Sequence, residues 1–397
     1  MYATLKIAIV HFGFMYSGGG ERVAIKEAMH LRKRGHQVEV FSPMIRWDRC
    51  FPELLRLVKP RRIIPPFPLP FPFREASALI ASASVPVFLR PLKNFDVLLC
   101  HSQPSMWIGF MVSKLYGLPY VGYLHQLTTF IHRRPEAAGN WTTKADFLLM
   151  DGLLGVFGRA LARHLDHLCH VSASKLLFNS KYTTQCFQRA YGVEGDVCYP
   201  ASDLNPHQID ASLLRARGHN ACPTLITSGR HYPWKRIDLA IRLLSFLPDK
   251  PRLIVTGEYT SHTPALRRVT EDLKVADRVT FTGFTSDETL TRLYSMSDVY
   301  VQTSIQEPFG LSPLEAQSFG VPAVVWGDGG VRETVLDGRT GFHAQPYDLH
   351  DFARKVSLIL DNGEIHESMS HEAQEWSSRF TWERHTDTVE RALCAAC

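Results

Sequence analysis

The chain holds 397 residues, 45% of them apolar, with a formal net charge of +5 and eight cysteines. This length and apolar content suit two domains with cores of their own. So mild a positive charge argues against nucleic acid as a partner, while allowing phosphorylated substrates or an anionic membrane surface. The cysteines follow neither a disulfide framework nor zinc-ligand spacing, which makes a reducing compartment the default.

Met1 to Met15 superficially imitates a short signal peptide, but Leu5 to Val10 reads better as a buried first strand. Ser17-Gly18-Gly19-Gly20 and a helix over Glu21 to Arg34 follow it at βαβ spacing. Gly35 ends that helix and Gln37 to Phe41 make a second strand. The glycine run fails as a dinucleotide fingerprint, because Val23 stands where the third glycine belongs, although Glu39 lies at a suitable distance. By itself it is a strand-to-helix loop. No apolar run reaches the roughly 18 residues of a membrane helix, so the expected location is the cytoplasm, with peripheral contact at the cytoplasmic membrane face compatible with it.

Arg46 to Asn94 resists reading. Its run Lys59 to Phe73 carries too many prolines for a helix and too many phenylalanines for a free linker, which leaves a membrane-resting or acceptor-covering segment beside a loop packed on the first domain. Phe95 to His101 and Pro119 to Leu124 read as strands, with His101 and His125 at their ends. His164, His167 and His170 suggest a metal site only if helical, and His167 to Val171 reads as a strand that scatters them. Ser172 to Tyr191 is a strand exit and helix ended by Gly192, and the aperiodic Tyr199 to Ala221 is the expected hinge.

The second half alternates short strands and helices, which predicts a parallel sheet covered on both faces. After the strand Thr224 to Thr227, the stretch Gly229 to Arg236 leads into a helix expected from Pro233 to about Leu247. Lys235 and Arg236 then fall in its first turn, where the macrodipole disfavours each cation by roughly 0.3–1 kcal/mol. Either Asp238 or a bound diphosphate would compensate. After the strand Asp298 to Thr303, the loop Ser304 to Leu311 carries Glu307, a carboxylate suited to sugar hydroxyls, beside Phe309-Gly310. Ser312, Pro313 and Glu315 match a capping box, which would explain Glu315 without a ligand. Gly329-Gly330 form a tight turn or a second amide pocket before a short helix with Glu333. The last helix, Thr381 to Leu393, runs into Cys394 to Cys397, which formally imitates a prenylation box but is read here as a frayed helix end.

The G-R-x-x-x-x-K of Gly229 to Lys235, followed by E-P-F-G-L-S-P-L-E-A and then G-V-P-A-V-V-W-G-D-G-G-V-R-E, resembles family 4 of the retaining glycosyltransferases. The resemblance implies the α/β GT-B architecture: two Rossmann-like domains facing across a cleft, here residues 1–198 with a return helix in 378–397, and residues 199–377. It also implies a nucleotide-sugar donor bound mainly by the second domain and a saccharide or lipid-linked acceptor. Arg230 and Lys235 would hold the diphosphate, Glu315 the ribose, and Glu307 the transferred sugar, with the amides of Phe309, Gly310 and Leu311 lining its pocket. Gly19 and Gly20 would face the donor phosphates, and His125 would lie beside the donor sugar and acceptor. The K-R-x-D context is similar to that of mannosyl and lipid-linked-oligosaccharide transferases, pointing to GDP-mannose or a UDP-sugar. No D-x-D pair occurs, so neither metal nor cofactor is expected; with Glu307 given to hydroxyl binding by the resemblance, no carboxylate nucleophile is evident, and front-face transfer is the expected mechanism. A nicotinamide-dependent oxidoreductase, a sugar-nucleotide epimerase or phosphorylase, and a non-catalytic subunit are the competing readings.

Overall fold

The computed structural model describes residues 3–64, 86–128, 131–132, 160–204, 222–248 and 250–397. They divide into two compact units. One takes the described residues up to Pro200 together with Trp382–Cys397, and the other takes those of Ala201–Thr381.

The first unit is built on a parallel sheet in the order Arg61–Arg62, Gln37–Ser42, Lys6–His11, Val97–His101, Tyr120–Leu124, Lys175–Phe178, Asp196–Val197. Its central strands are covered on both faces and apolar except at their carboxyl ends: Val97–His101 and Tyr120–Leu124 are buried at every position. The strand order reverses between Lys6–His11 and Val97–His101, which sit side by side although far apart in the chain. Helix Trp382–Ala396 packs on this unit. Glu390 anchors it, taking Arg34 Nη1 at 2.5 Å and His36 Nε2 at 3.0 Å, and Asp387 adds a contact to Arg34 at 2.6 Å.

The second unit repeats the plan in the order Val279–Gly283, Arg252–Thr256, Thr224–Ser228, Val299–Gln302, Ala323–Trp326, Gly341–Ala344, again all parallel. Alternate residues face opposite sides. Leu225, Val255, Val301 and Trp326 enter one core layer, whereas Ile226, Ile254, Tyr300 and Val325 enter the other. Helix Leu349–Leu360 closes the first layer with Phe352, Ala353, Val356 and Ile359, and Asp348 caps it by accepting from the Asp351 amide.

Several expectations need correction. The first helix begins at Gly19, not Glu21, so two of the three loop glycines are helical. Residues 160–171 are helical rather than ending in a strand, and the strand comes later, at Lys175–Phe178. The histidine spacing there was a helix period read as β. Among the described residues no group of three potential ligands could hold a metal. The edge strands Gly341–Ala344, Asp196–Val197 and Arg61–Arg62 escaped the pattern because they are too short to show alternation. Most of the proline-rich run and of the expected hinge lie outside the described residues. Cys394 falls within the last helix and the exposed Cys397 follows its end. No helix among the described residues is long and apolar enough to cross a membrane.

On helix Leu349–Leu360 the buried and outer faces should separate cleanly in urea unfolding. Phe352→Ala is expected to cost about 3–5 kcal/mol, whereas Leu358→Ala, on the exposed face, should stay within about 0.5 kcal/mol of the parent.

Candidate active site

In the second unit the reversal of strand order lies between Thr224–Ser228 and Val299–Gln302, and the loops leaving their carboxyl ends are neighbours. The first loop is pinned to the sheet. Gly229 N–H donates to the Thr256 carbonyl at 2.9 Å and His231 N–H to that of Glu258 at 3.1 Å. The His231 ring is buried against Thr263 Oγ1 at 3.2 Å. Burial first, then the charges of Arg267 and His262, push its pKa down to about 4. The Arg230 guanidinium lies over the Tyr232 ring at 5.1 Å, and Tyr232 stacks on Trp234 at 4.2 Å and 12°.

The helix expected from Pro233 does not form as one piece. Pro233–Lys235 is a single 3-10 turn, Arg236 is left-handed (φ 49°), and the α-helix runs only over Ile237–Leu243. Lys235 therefore precedes the helix, and the argument from an unfavourable dipole does not apply to it. Arg236 forks onto Asp238 at 3.1 and 3.2 Å. Lys235 Nζ instead reaches both carboxylate oxygens of Glu307, at 3.0 and 2.9 Å.

Glu307 is thus the meeting point of the two loops. Ser304 Oγ donates to its Oε2 at 3.0 Å, and Gly330 N–H donates to its carbonyl at 2.7 Å. The loops are also tied by the Thr303 hydroxyl, which donates to the Arg236 carbonyl at 2.7 Å, while Trp326 Nε1–H donates to the Thr303 carbonyl at 2.7 Å. Gly329-Gly330 are needed for close approach: a Cβ on Gly330 would stand 2.1 Å from the Pro308 carbonyl oxygen.

The capping box is also corrected. Helix Leu311–Ser318 is capped by Gly310 in the left-handed region (φ 99°), with no side-chain cap. Its start lies too early for Ser312 and Glu315 to serve as cap and third residue. Glu315 is buried one turn in, where the Tyr294 hydroxyl donates to its Oε2 at 3.4 Å. The first amides of this helix, at Leu311 and Ser312, have no intrahelical acceptor and stand beside Phe309 and Gly310.

The first unit gathers a second group at the carboxyl ends of its own strands. His11 and His101 are partners in register, His101 is likewise paired with Tyr123, and His125 follows the next strand by one residue. Helix Gly19–Lys33 starts against them: a Cβ on Gly20 would lie 3.7 Å from His125 Nε2 and 4.0 Å from His11 Nε2. Glu27, two turns into the helix, is fully buried, with Oε2 at 2.6 Å from His101 Nε2 and Oε1 at 2.8 Å from His385 Nε2. His101 Nδ1 is 3.4 Å from His125 Nε2.

These contacts decide the charges. Burial alone would raise the Glu27 carboxyl, but His101 and then His385 overcome it and hold it at about 2. For His385 burial works the other way, yet Cys198 and Glu27 beside it keep its pKa well above the usual value. Burial first, then the neighbouring His101, lowers His125 to about 3. Burial with His101 and His125 also takes His11 well below its ordinary value. His125 was chosen from sequence, whereas Glu27, His11 and His385 were missed. A signal existed for Glu27: it lies four residues after Val23 and four before Leu31, on the buried face of its helix.

Comparison with known proteins places this arrangement. Residues 17–205 match the family model described as Glycosyltransferase Family 4, and residues 218–376 match that described as Glycosyl transferases group 1. A D-inositol 3-phosphate glycosyltransferase of Acidothermus cellulolyticus is 26% identical over 94% of this chain and 84% of its own length. The enzyme of the same name from Mycobacteroides abscessus is 34% identical over 74% and 65%. Among solved structures, Anabaena HepE in complex with UDP and glucose superposes with a TM-score of 0.75 at 20% identity, covering 98% of this chain and 99% of its own.

Two outcomes follow from the geometry. Gly330→Ala should destabilise the protein by about 1–3 kcal/mol, read as a lower urea midpoint, because backbone must move. Glu27→Gln should cost about 3–5 kcal/mol at neutral pH by leaving buried partners unmatched. Glu27 titrates at about 2 when folded against an ordinary 4.5, so its contribution is complete above 4.5 and fades as pH falls towards 2. The stability gap between parent and variant should close over that same interval.

Proposed function

The chain belongs to glycosyltransferase family 4, a nucleotide-sugar-dependent transferase of the GT-B fold, and from that premise we propose that it moves a sugar from a nucleoside-diphosphate sugar to a hydroxyl of a saccharide or lipid-linked acceptor with retention of anomeric configuration. The observation that carries this reading is the Lys235–Glu307 pair, which puts a cation and a hydroxyl-binding carboxylate together at the switch point of the second unit's sheet.

In this reading Arg230 and Lys235 hold the diphosphate, with the first amides of helix Leu311–Ser318 as further donors to the anion. Glu307 accepts from hydroxyls of the transferred sugar beside the backbone of Phe309, Gly310 and Leu311. Its contact with Lys235 orients both groups until the donor arrives. Glu315, braced by Tyr294, takes the ribose hydroxyls. In the first unit His125, next to Gly19 and Gly20, serves the reacting sugar.

Glu307 is committed to hydroxyls, which leaves the site without a carboxylate nucleophile. The acceptor hydroxyl attacks the anomeric carbon on the face from which the diphosphate departs. As the bond to the acceptor oxygen forms, the bond to the diphosphate breaks, and a leaving phosphate oxygen takes the acceptor's proton. Arg230 and Lys235 meet the growing negative charge in place of a metal. Each such contact is worth about 1.5–3 kcal/mol, or about tenfold to a hundredfold in rate.

The neighbour solved in complex with UDP and glucose favours a UDP-sugar over GDP-mannose as donor. A thermal-shift panel of UDP-, GDP- and ADP-sugars tests this, the expected result being stabilisation by the uridine series. Lys235→Ala should abolish that stabilisation, and a shift that survives would contradict the clamp. Glu307→Gln should keep the stabilisation by UDP alone while turnover falls about tenfold to a hundredfold.

A further inference from the structure

Residues 46–62 carry six lysines and arginines against two carboxylates, a surplus of four where the whole chain's formal surplus is five. Charge so concentrated repels itself unless something answers it. Within the protein the answer is partial. Asp48 is shared between Arg46 at 3.5 Å and Arg49 at 3.9 Å, and Glu39 meets Arg61 at 2.7 Å, all of them at the surface, where such pairs contribute little. Among the described residues no carboxylate pairs with Arg56, Lys59 or Arg62. The fold keeps the segment together. Helix Pro52–Val58 packs on helix Gly19–Lys33, buries Leu55 and Val58, and turns Arg56 and Leu57 to solvent. Arg62 Nη2–H donates to the Ile45 carbonyl at 2.9 Å, which returns the end of the segment to its start.

Two large apolar side chains stand exposed in the same stretch, Trp47 at 45% and Leu57 at 61% of their full accessibility. A free polyanion would answer the cations and leave Leu57 in water. A lipid headgroup layer answers both, its phosphates taking the cations and its depth taking the apolar groups. We propose that residues 46–62 dock the first unit on a membrane of anionic lipid, with Trp47 and Leu57 entering the headgroup layer. The patch adjoins the candidate site. Phe51 N–H donates to Ser17 Oγ at 2.9 Å, and that hydroxyl donates to the Arg49 carbonyl at 3.2 Å. Ser17 belongs to the loop that opens helix Gly19–Lys33, whose start lies against His125 and His11. Docking here presents that edge of the first unit to an acceptor held in the bilayer. The inference deepens the lipid-linked case among the acceptors proposed above and rests on that reading for its purpose.

Cosedimentation of the full chain with vesicles measures docking without turnover. Binding is expected to an equal mixture of phosphatidylcholine and phosphatidylglycerol, weakening as salt is raised, and not to phosphatidylcholine alone. No binding to the mixture, or equal binding to both, overturns the proposal. The combined variant Arg49→Gln, Arg56→Gln, Lys59→Gln should bind about a hundredfold more weakly, at about fivefold per cation, with an unchanged urea midpoint. The combined variant Arg268→Gln, Arg292→Gln, Arg354→Gln removes three exposed cations of the second unit and should bind like the parent. If the two triple variants weaken alike, net charge rather than the patch governs binding and the proposal fails. Trp47→Ser alone should cost about tenfold, and an unchanged affinity would overturn entry into the headgroup layer. Tighter binding to soluble polyphosphate than to the vesicles would give the patch to that partner instead. If the parent docks as expected yet transfers sugar only to soluble saccharides, the docking surface stands and the lipid-linked acceptor fails.

Discussion

Parallel strands can be joined only by a crossover, and every strand in such a sheet therefore ends at the same edge. This constraint organises both units. Where the strand order reverses, the crossovers on either side lead away from each other, and the loops at that point are free to carry polar groups. Lys235 and Glu307 meet there in the second unit, and His11 and His101 meet at the corresponding point in the first.

The two edges handle charge differently. In the second unit the pair is partly exposed: Lys235 and Glu307 retain 28% and 18% of their side-chain accessibility, which leaves both open to exchange partners with a ligand. In the first unit Glu27 and His385 are fully sequestered, and exchange would strand a charge in a low-dielectric interior. The first arrangement suits groups that bind a substrate, the second suits groups that hold other groups still. Trp382–Ala396 returning to the first unit is what supplies His385, and Glu390 on the same helix fastens it through Arg34 and His36.

Much of the second unit was legible because its motifs are contiguous: strand, loop and helix follow one another within a few residues, and the loops carry Arg230, Lys235 and Glu307 in readable order. Local geometry was less secure. A proline at Pro233 suggested a helix start, but the chain makes one 3-10 turn and uses Arg236 in the left-handed region before the helix proper. Likewise Ser312 and Glu315 have the right spacing for a capping box, yet Gly310 ends the loop earlier because the tight packing of Gly329-Gly330 against Glu307-Pro308 draws the chain in. In both places tertiary packing overrode a local propensity worth only about 1 kcal/mol.

The order of apolar runs, glycines and charged loops was enough to specify two α/β units and the family, and to bring forward Arg230, Lys235 and Glu307 as candidates in the second unit, since each of those is written within short windows where local periodicity and turn chemistry act. Which charges neutralise one another was left to the tertiary structure. Glu27 and His385 stand 358 positions apart, and Lys235 and Glu307 72 apart, distances over which no local pattern constrains a partner. Only packing the helices onto their sheets brings those side chains together, and the expense of an unmatched charge away from water then dictates the pairing.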